Sequence, residues 1–208
     1  MMVGTNDDAA AFGHVLGRLE GDVGGILKAV LEGRVLSGDR PHVPFWALAR
    51  TMFPIAESIA DLVYRSSNTA EQLVKVLATE FEAVRPAYKG VAATLTLMYR
   101  HSLAHQDELR LLKSKGRTVF WKIGIRDVAH LAISKDRRPN DFTVQFNLVD
   151  FYEDLTEVIM AEQAKAHGGK SKDRYKEWGI LDLDAPKPKT RATIDVRNAA
   201  AVEIAAFR

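Results

Sequence analysis

The densest run of chemically capable side chains lies at residues 99–107, with the sequence Tyr-Arg-His-Ser-Leu-Ala-His-Gln-Asp. It places a permanently charged guanidinium, two imidazoles that titrate near neutrality and a hydroxyl close together. Arg100 can grip a phosphate through its planar fork, while His105 moves a proton. Cleavage of RNA by its own 2′-hydroxyl needs these two actions and no metal ion.

Other uses of the same run stay open. His101 and His105 are four residues apart and share a helix face, the spacing of a metal-binding pair, with Asp107 or Glu108 as a third ligand. No His-Glu-x-x-His pattern accompanies them. Ser102 could be a nucleophile, but the sequence has no Gly-x-Ser-x-Gly turn of the kind that exposes a nucleophilic serine. A purely structural role is a further alternative, because cations at a helix end stabilise its last carbonyl groups.

Composition excludes several kinds of site and indicates the class of protein. The chain has 208 residues, 47% hydrophobic and 27% charged, which suits one globular domain with an appendage. The absence of cysteine excludes disulfides, thiolate zinc sites, iron–sulfur clusters and a cysteine nucleophile. A net charge of +2 does not indicate nucleic-acid binding by bulk charge. No apolar run of about 18 residues and no signal-peptide pattern occur, so we expect a cytoplasmic protein without membrane attachment.

Apolar periodicity predicts the helices that must position the run. The predicted helices cover about residues 17–37, 45–65, 68–85, 87–105 and 150–166. The second is expected to be two short helices or one bent helix, because Pro54 lacks an amide proton. The run at residues 99–107 then falls at the end of the fourth, long helix.

Between residues 109 and 148 the pattern changes to that of strands. Leu109–Leu112 and Val119–Ile125 flank a Lys-Ser-Lys-Gly turn and predict a hairpin, in which Gly116 supplies a positive backbone angle. Segments 130–134 and 142–148 predict a second strand pair. This β element interrupts the helical series just before its last member.

The C-terminal part has a different composition. Residues 1–166 are expected to form the helical bundle, with the β insertion at about 109–148, and residues 167–208 a partly linker-like extension. Pro186 and Pro188 favour extended chain there. Residues 199–207 could form a last short helix that docks on a neighbour or frays.

The run resembles a known motif. Arg100 is followed by a polar residue, then by Leu103-Ala104, and His105 comes five positions after the arginine. This is similar to the Arg-x4–6-His motif of HEPN domains, and the predicted helical layout is similar too. The resemblance implies a mainly α fold, a HEPN-like bundle of four to five helices, here with a small inserted β-hairpin or sheet and an extended C-terminal tail. Many members are metal-independent endoribonucleases that work as homodimers.

By this resemblance Arg100 and His105 take the catalytic pair, and His101 takes the polar position after the arginine. The motifs of two subunits would face each other, so that two copies make one site. Tyr99 and Ser102 lie beside the pair and are expected to contact substrate.

A small basic cluster at the hairpin tip is the other expected contact with substrate. Lys113, Lys115 and Arg117 could hold an RNA backbone, or could form an ordinary solubilising turn. The expected partners are RNA or a nucleotide and a second copy of the chain, with no metal and no cofactor.

Two alternative functions are kept. One is a catalytically inactive helical module that binds nucleotide, RNA or protein. The other is a metal-binding helical protein that uses His101 and His105. The sequence also leaves an antitoxin-like protein partner open.

Overall fold

The computed structural model describes residues 7–32, 43–64, 69–100, 111–125, 127–165, 167, 170–171 and 191–207. Over these ranges the protein is mainly helical and contains one small, mixed, four-stranded sheet. This confirms the predicted class at that level. Residues 172–190 of the predicted extension at 167–208 lie outside the described residues. None of the described helices is long and apolar enough to cross a membrane.

The first helical stretch is longer than predicted. α1 (Asp7–Arg18) continues through a π-helical turn at Leu19–Gly24 into α2 (Gly25–Leu31), so the helix begins well before residue 17. Four positions of the predicted apolar face are buried, Leu31 is partly buried and Ile26 is 37% exposed; the buried ones are Leu19, Val23, Leu27 and Val30. Gly24 allows a close helix contact, because a Cβ there would lie 3.0 Å from the hydroxyl oxygen of Tyr152.

Two long helices follow and agree with the sequence patterns. α3 (Val43–Val63) is one helix that runs through Pro54, and α4 is Thr69–Val84. Burial of apolar side chains from Leu48 to Leu62 of α3 outweighs the hydrogen bond that Pro54 cannot donate.

The prediction of one long helix at residues 87–105 is wrong at its start, and its last part, residues 101–105, lies outside the described residues. A 3-10 turn at Pro86–Gly90 is followed by the non-helical residue Val91, then by α5 (Ala92–Leu95) and a π-helical turn at Thr96–Arg100. The physical reason lies at both ends of the 3-10 turn. Arg85 is extended because it precedes a proline, and Gly90 weakens helix propagation.

Both predicted strand pairs exist. The strands are β1 (Leu112–Ser114), β2 (Arg117–Gly124), β3 (Ile133–Lys135) and β4 (Asp141–Asn147), in the sheet order β1-β2-β4-β3. The β1–β2 turn has positive φ at Lys115 (+49°) and Gly116 (+74°), the type I′ geometry of tight hairpins. β2 and β4 pair in parallel, which the sequence analysis did not predict.

The sheet and the last two helices complete the core. Alternate residues of β4, namely Phe142, Val144 and Phe146, are buried. α6 (Leu148–Ala164) starts directly after β4, and the Asn147 side chain accepts hydrogen bonds from its first amides.

The C-terminal helix docks on the rest of the protein. α7 (Arg191–Ala206) is longer than the predicted short helix at 199–207. Val196 and Ala200 pack with Ala93 of α5, whereas Ile204 and Phe207 join the main core. The end of the chain therefore belongs to the packed fold.

Candidate functional site

Of the predicted catalytic run at residues 99–107, the structure describes only the backbone of Tyr99 and Arg100. Arg100 lies in the π-helical turn Thr96–Arg100, and whether the run falls at the end of a helix stays a prediction, because residues 101–110 lie outside the described residues. His101, Ser102 and His105 lie outside the described residues, and so do the side chains of Tyr99 and Arg100. The geometry of the proposed pair is thus left as a prediction, while the surroundings of the run can be described.

The helical turn that carries Arg100 is anchored by α7. The Glu203 carboxylate accepts hydrogen bonds from the backbone N–H groups of Ala93 (2.8 Å) and Thr94 (2.7 Å) and from the Thr94 hydroxyl (2.6 Å). These amides belong to the first turn of α5, where a carboxylate is favourable. Burial raises the pKa of Glu203, against the opposing effect of its hydrogen bonds with Thr94 and Ala93.

A cleft lies between β1 and α7, and we call it the β1–α7 cleft. Its volume is about 310 Å³. Leu97, which precedes the run, and Leu111, which follows it, both line the cleft. Lys113 and Arg197 contribute the charged side chains of the lining. The cleft lining therefore combines two basic side chains with apolar ones.

The predicted basic cluster at the hairpin tip is divided among three locations. Lys113 lines the β1–α7 cleft, and Lys115 is exposed at the turn. Arg117 donates hydrogen bonds to the carbonyl oxygens of Ile204 (3.0 Å) and Phe207 (2.7 Å) at the end of α7. Arg117 therefore fastens the sheet to the C-terminal helix, a role that the sequence did not indicate.

A buried polar group that the sequence analysis missed surrounds Asp154 of α6. Arg85 makes a two-point contact with this carboxylate, at 2.9 Å from Nε and 3.0 Å from Nη2. The Tyr88 hydroxyl donates to Asp154 at 2.9 Å, and His130 Nε2 lies 3.2 Å from the same oxygen. We call these four residues the Asp154 cluster.

The Asp154 cluster is closed to substrate. The side chains of His130 and Asp154 are 1% and 3% exposed, and Tyr88 is fully buried. Burial alone would raise the pKa of Asp154, but its hydrogen bonds with His130, Arg85 and Tyr88 lower it. Burial, and then the charge of Asp154, raise the pKa of Tyr88 well above its usual value.

Hydrogen bonds also fix the His130 ring. The backbone N–H of Asn147 donates to Nδ1 at 3.2 Å, so the ring proton lies on Nε2, facing Tyr88 and Asp154. The next residue, Leu131, has φ +59°, a strained angle held by a 2.8 Å hydrogen bond to Gln145. The arrangement orients a structural histidine. One sequence signal could have revealed this cluster. Asp154 falls on the apolar, inward face of α6, where a buried carboxylate requires hydrogen-bond partners.

A second group joins α4 to the end of α6. Lys165 contacts both Glu80 and Glu162, and the Tyr64 hydroxyl donates to Glu80 at 2.6 Å. Burial would raise the pKa of Glu80, but hydrogen bonds from Lys165 and Tyr64 lower it to about 2. Burial raises the pKa of Glu162, which shares the same lysine. Within the described ranges, no three His, Asp or Glu side chains are arranged to hold a metal ion.

Comparisons of the chain with protein-family models, with curated proteins and with solved structures found no match. The features of this chain that bear on its function are therefore the run at 99–107 and the β1–α7 cleft near its start.

Proposed function

We propose that this protein is a HEPN-like, metal-independent endoribonuclease that acts as a homodimer. The observation that carries the proposal is the Arg100-x4-His105 spacing, which starts on a helical turn whose Leu97 lines a cleft with two basic side chains. The mainly helical fold with a small inserted sheet is compatible with it. Each part of the proposal has a chemical role.

The reaction is an internal transesterification of RNA. The 2′-hydroxyl attacks the adjacent phosphorus and loses its proton, while the bond to the 5′-oxygen breaks and that oxygen gains a proton. His105 serves as general base or general acid, and Arg100 stabilises the negative charge that develops on the phosphate. His101 shares the proton transfer or orients substrate. A second copy of the chain supplies the second histidine, so both protons are handled at one composite site.

The β1–α7 cleft supports a polyanionic substrate. Lys113 and Arg197 raise the local positive potential next to the start of the run. A negatively charged backbone is attracted to such a surface, with an affinity that falls as salt rises. The net charge of the whole chain, +2, gives no such preference. The attraction is therefore local, as a site of cleavage requires.

The test is a cleavage assay on mixed RNA with and without a chelator. We expect chelator-resistant cleavage that leaves 2′,3′-cyclic phosphate and 5′-hydroxyl ends. Arg100→Ala and His105→Ala should each lower the rate about 100-fold or more, the scale of a positioned charge or proton transfer. Arg138→Ala and His14→Ala replace exposed residues of the same types elsewhere and should leave the rate unchanged.

Three results would contradict the proposal. Cleavage that survives both substitutions would place the chemistry elsewhere. RNA binding by the folded wild-type protein without cleavage would favour the inactive binding module. Stoichiometric metal binding that is lost on replacing His101 or His105 would favour the metal-binding protein.

A further inference from the structure

We propose that the β1–α7 cleft binds one unpaired nucleotide of a single-stranded RNA. Lys113 and Arg197 hold its phosphate, and the apolar residues of the lining contact its base. The identity of the polymer rests on the proposed ribonuclease function, whereas the cleft itself is a feature of the described structure. Its charge, size and rigidity carry the argument.

The charge of the cleft favours an anion. Lys113 comes from β1 and Arg197 from α7, so two separate elements bring cations to one lining. Neither forms an ion pair with a carboxylate of the described residues. Arg85 and Lys165, by contrast, are held by acidic partners. Two cations that no acidic side chain of the described residues accompanies in the lining favour a bound phosphate.

The size and lining of the cleft favour a single nucleotide. About 310 Å³ lies at the lower end of the range for small-ligand sites and is too small for a duplex. The lining also contains the apolar side chains of Leu97, Leu111 and Ile204, against which an unpaired base can lie. The Ser114 hydroxyl, also in the lining, can hydrogen-bond to a ribose or phosphate oxygen. Bases are accessible in this way only in single strands.

The α7 wall of the cleft is formed by one helix face and is held in place. Arg197, Ala200, Ala201 and Ile204 follow the i, i+3, i+4, i+7 spacing of such a face. Glu203 anchors the same helix to α5, and contacts of Arg117 hold its last turn. A preformed site avoids the cost of ordering its own wall when ligand binds.

The cleft lies close to the start of the run that carries the proposed catalytic pair. Leu97 lies three residues before Arg100 on the same helical turn. We therefore expect the nucleotide in the cleft to neighbour the scissile phosphate, and its contacts should affect substrate binding more than the chemical step. Removing them should raise KM and change kcat little.

Binding can be measured apart from cleavage with a fluorescent, single-stranded 2′-O-methyl oligonucleotide, which lacks the attacking hydroxyl. Its anisotropy is followed on the full chain. Lys113→Gln and Arg197→Gln should each weaken binding about 10-fold and reduce the slope of log affinity against log salt by about 1. Lys135→Gln is the matched control, because it removes an exposed lysine from β3 at the opposite edge of the sheet.

A second pair of variants tests the shape of the cleft. Ala201→Glu introduces bulk and negative charge into the cleft and should weaken binding at least as much as the loss of a cation. Val202→Glu is the matched control, because this neighbouring side chain is 70% exposed and does not line the cleft. Thermal unfolding of both variants confirms that they fold.

The outcomes separate this proposal from the proposed function. Unchanged affinity in Lys113→Gln, Arg197→Gln and Ala201→Glu overturns the nucleotide site even if the protein cleaves RNA. Equal affinity for a duplex of the same sequence also overturns it. Weaker binding in these variants, combined with a wild-type protein that does not cleave RNA, supports the site and overturns the ribonuclease function.

Discussion

The Asp154 cluster and the β1–α7 cleft both contain an arginine, yet the surroundings of the two arginines are opposite. Arg85 meets a carboxylate whose side chain is 3% exposed, and a tyrosine and a histidine complete the coordination of that carboxylate. Arg197 lines an open cleft to which the described part of the chain contributes no carboxylate. The first arrangement satisfies its charges internally, whereas the second leaves charge for a ligand.

The comparison shows that residue type does not identify a working site. Tyr88, Arg85, His130 and Asp154 would be a convincing catalytic set if they were written as a motif. The burial of Tyr88, His130 and Asp154 and the hydrogen bonds among all four residues make them a support that joins α6 to the chain around Pro86 and to the turn before β3. Access and unbalanced charge are the better criteria.

The largest expected effect comes from breaking the Asp154 cluster. Asp154→Ala leaves the buried His130 and Tyr88 and the cation of Arg85 without their shared acceptor, which should cost about 3–5 kcal/mol of unfolding free energy. Urea denaturation measures it. Asp150→Ala is the control, because Asp150 contacts Arg85 at 3.3 Å with a side chain that is 32% exposed, and should cost about 1 kcal/mol or less. Equal, small losses in both variants would mean that the cluster does not support the fold.

A smaller effect is expected where α7 joins α5. Glu203→Ala removes the acceptor for two buried amides and a hydroxyl and should cost about 1–3 kcal/mol. Glu203→Gln keeps one acceptor oxygen and should cost less. Hydrogen exchange at the amides of Ala93 and Thr94 should quicken in both variants, whereas Asp195→Ala, at an exposed position of the same helix, should leave it unchanged. Unaltered protection in Glu203→Ala would show that the helix does not depend on this cap.

The smallest effect is a pH dependence at Glu80. Its pKa is lowered from 4.5 to about 2 in the folded protein, so the unfolded chain takes up the proton first and acidification favours unfolding. The contribution of Glu80 is complete above about pH 4.5 and is lost as the pH falls toward 2. We expect wild type to lose about 1 kcal/mol more than Glu80→Gln over this window, a value reduced for solvent screening.

Urea denaturation at several pH values tests this expectation. Glu153→Gln, at an exposed position of α6, should retain the wild-type acid loss. Parallel pH profiles for wild type and Glu80→Gln would contradict the assignment. The raised pKa of Glu162 acts in the opposite sense, because its protonation favours the folded state as the pH falls toward the raised value.

The sequence was sufficient for elements whose pattern is local. Apolar spacing predicted α4 and α6 closely, and Gly116 predicted the first hairpin. The same reasoning failed at the start of the segment 87–105, where the restriction that Pro86 places on Arg85 and the break at Val91 outweigh a helical apolar pattern.

Features made by distant parts of the chain were not predictable. The parallel pairing of β2 with β4 and the Asp154 cluster join segments separated by a long stretch of sequence, and no single window contains both members. The sequence did not predict Arg197 as a binding residue for the same reason, because only folding brings α7 beside β1. The Arg100 and His105 pair was found from sequence because its spacing is local.

The most direct test measures the single-turnover cleavage rate and the urea midpoint on the same samples of wild type, Arg100→Ala and His105→Ala. A catalytic pair predicts that the rate falls about 100-fold or more in both variants while the midpoint stays at the wild-type value. An unchanged rate, or a midpoint that falls because the residues only cap a helix, would contradict the central claim that this arginine and this histidine perform chemistry.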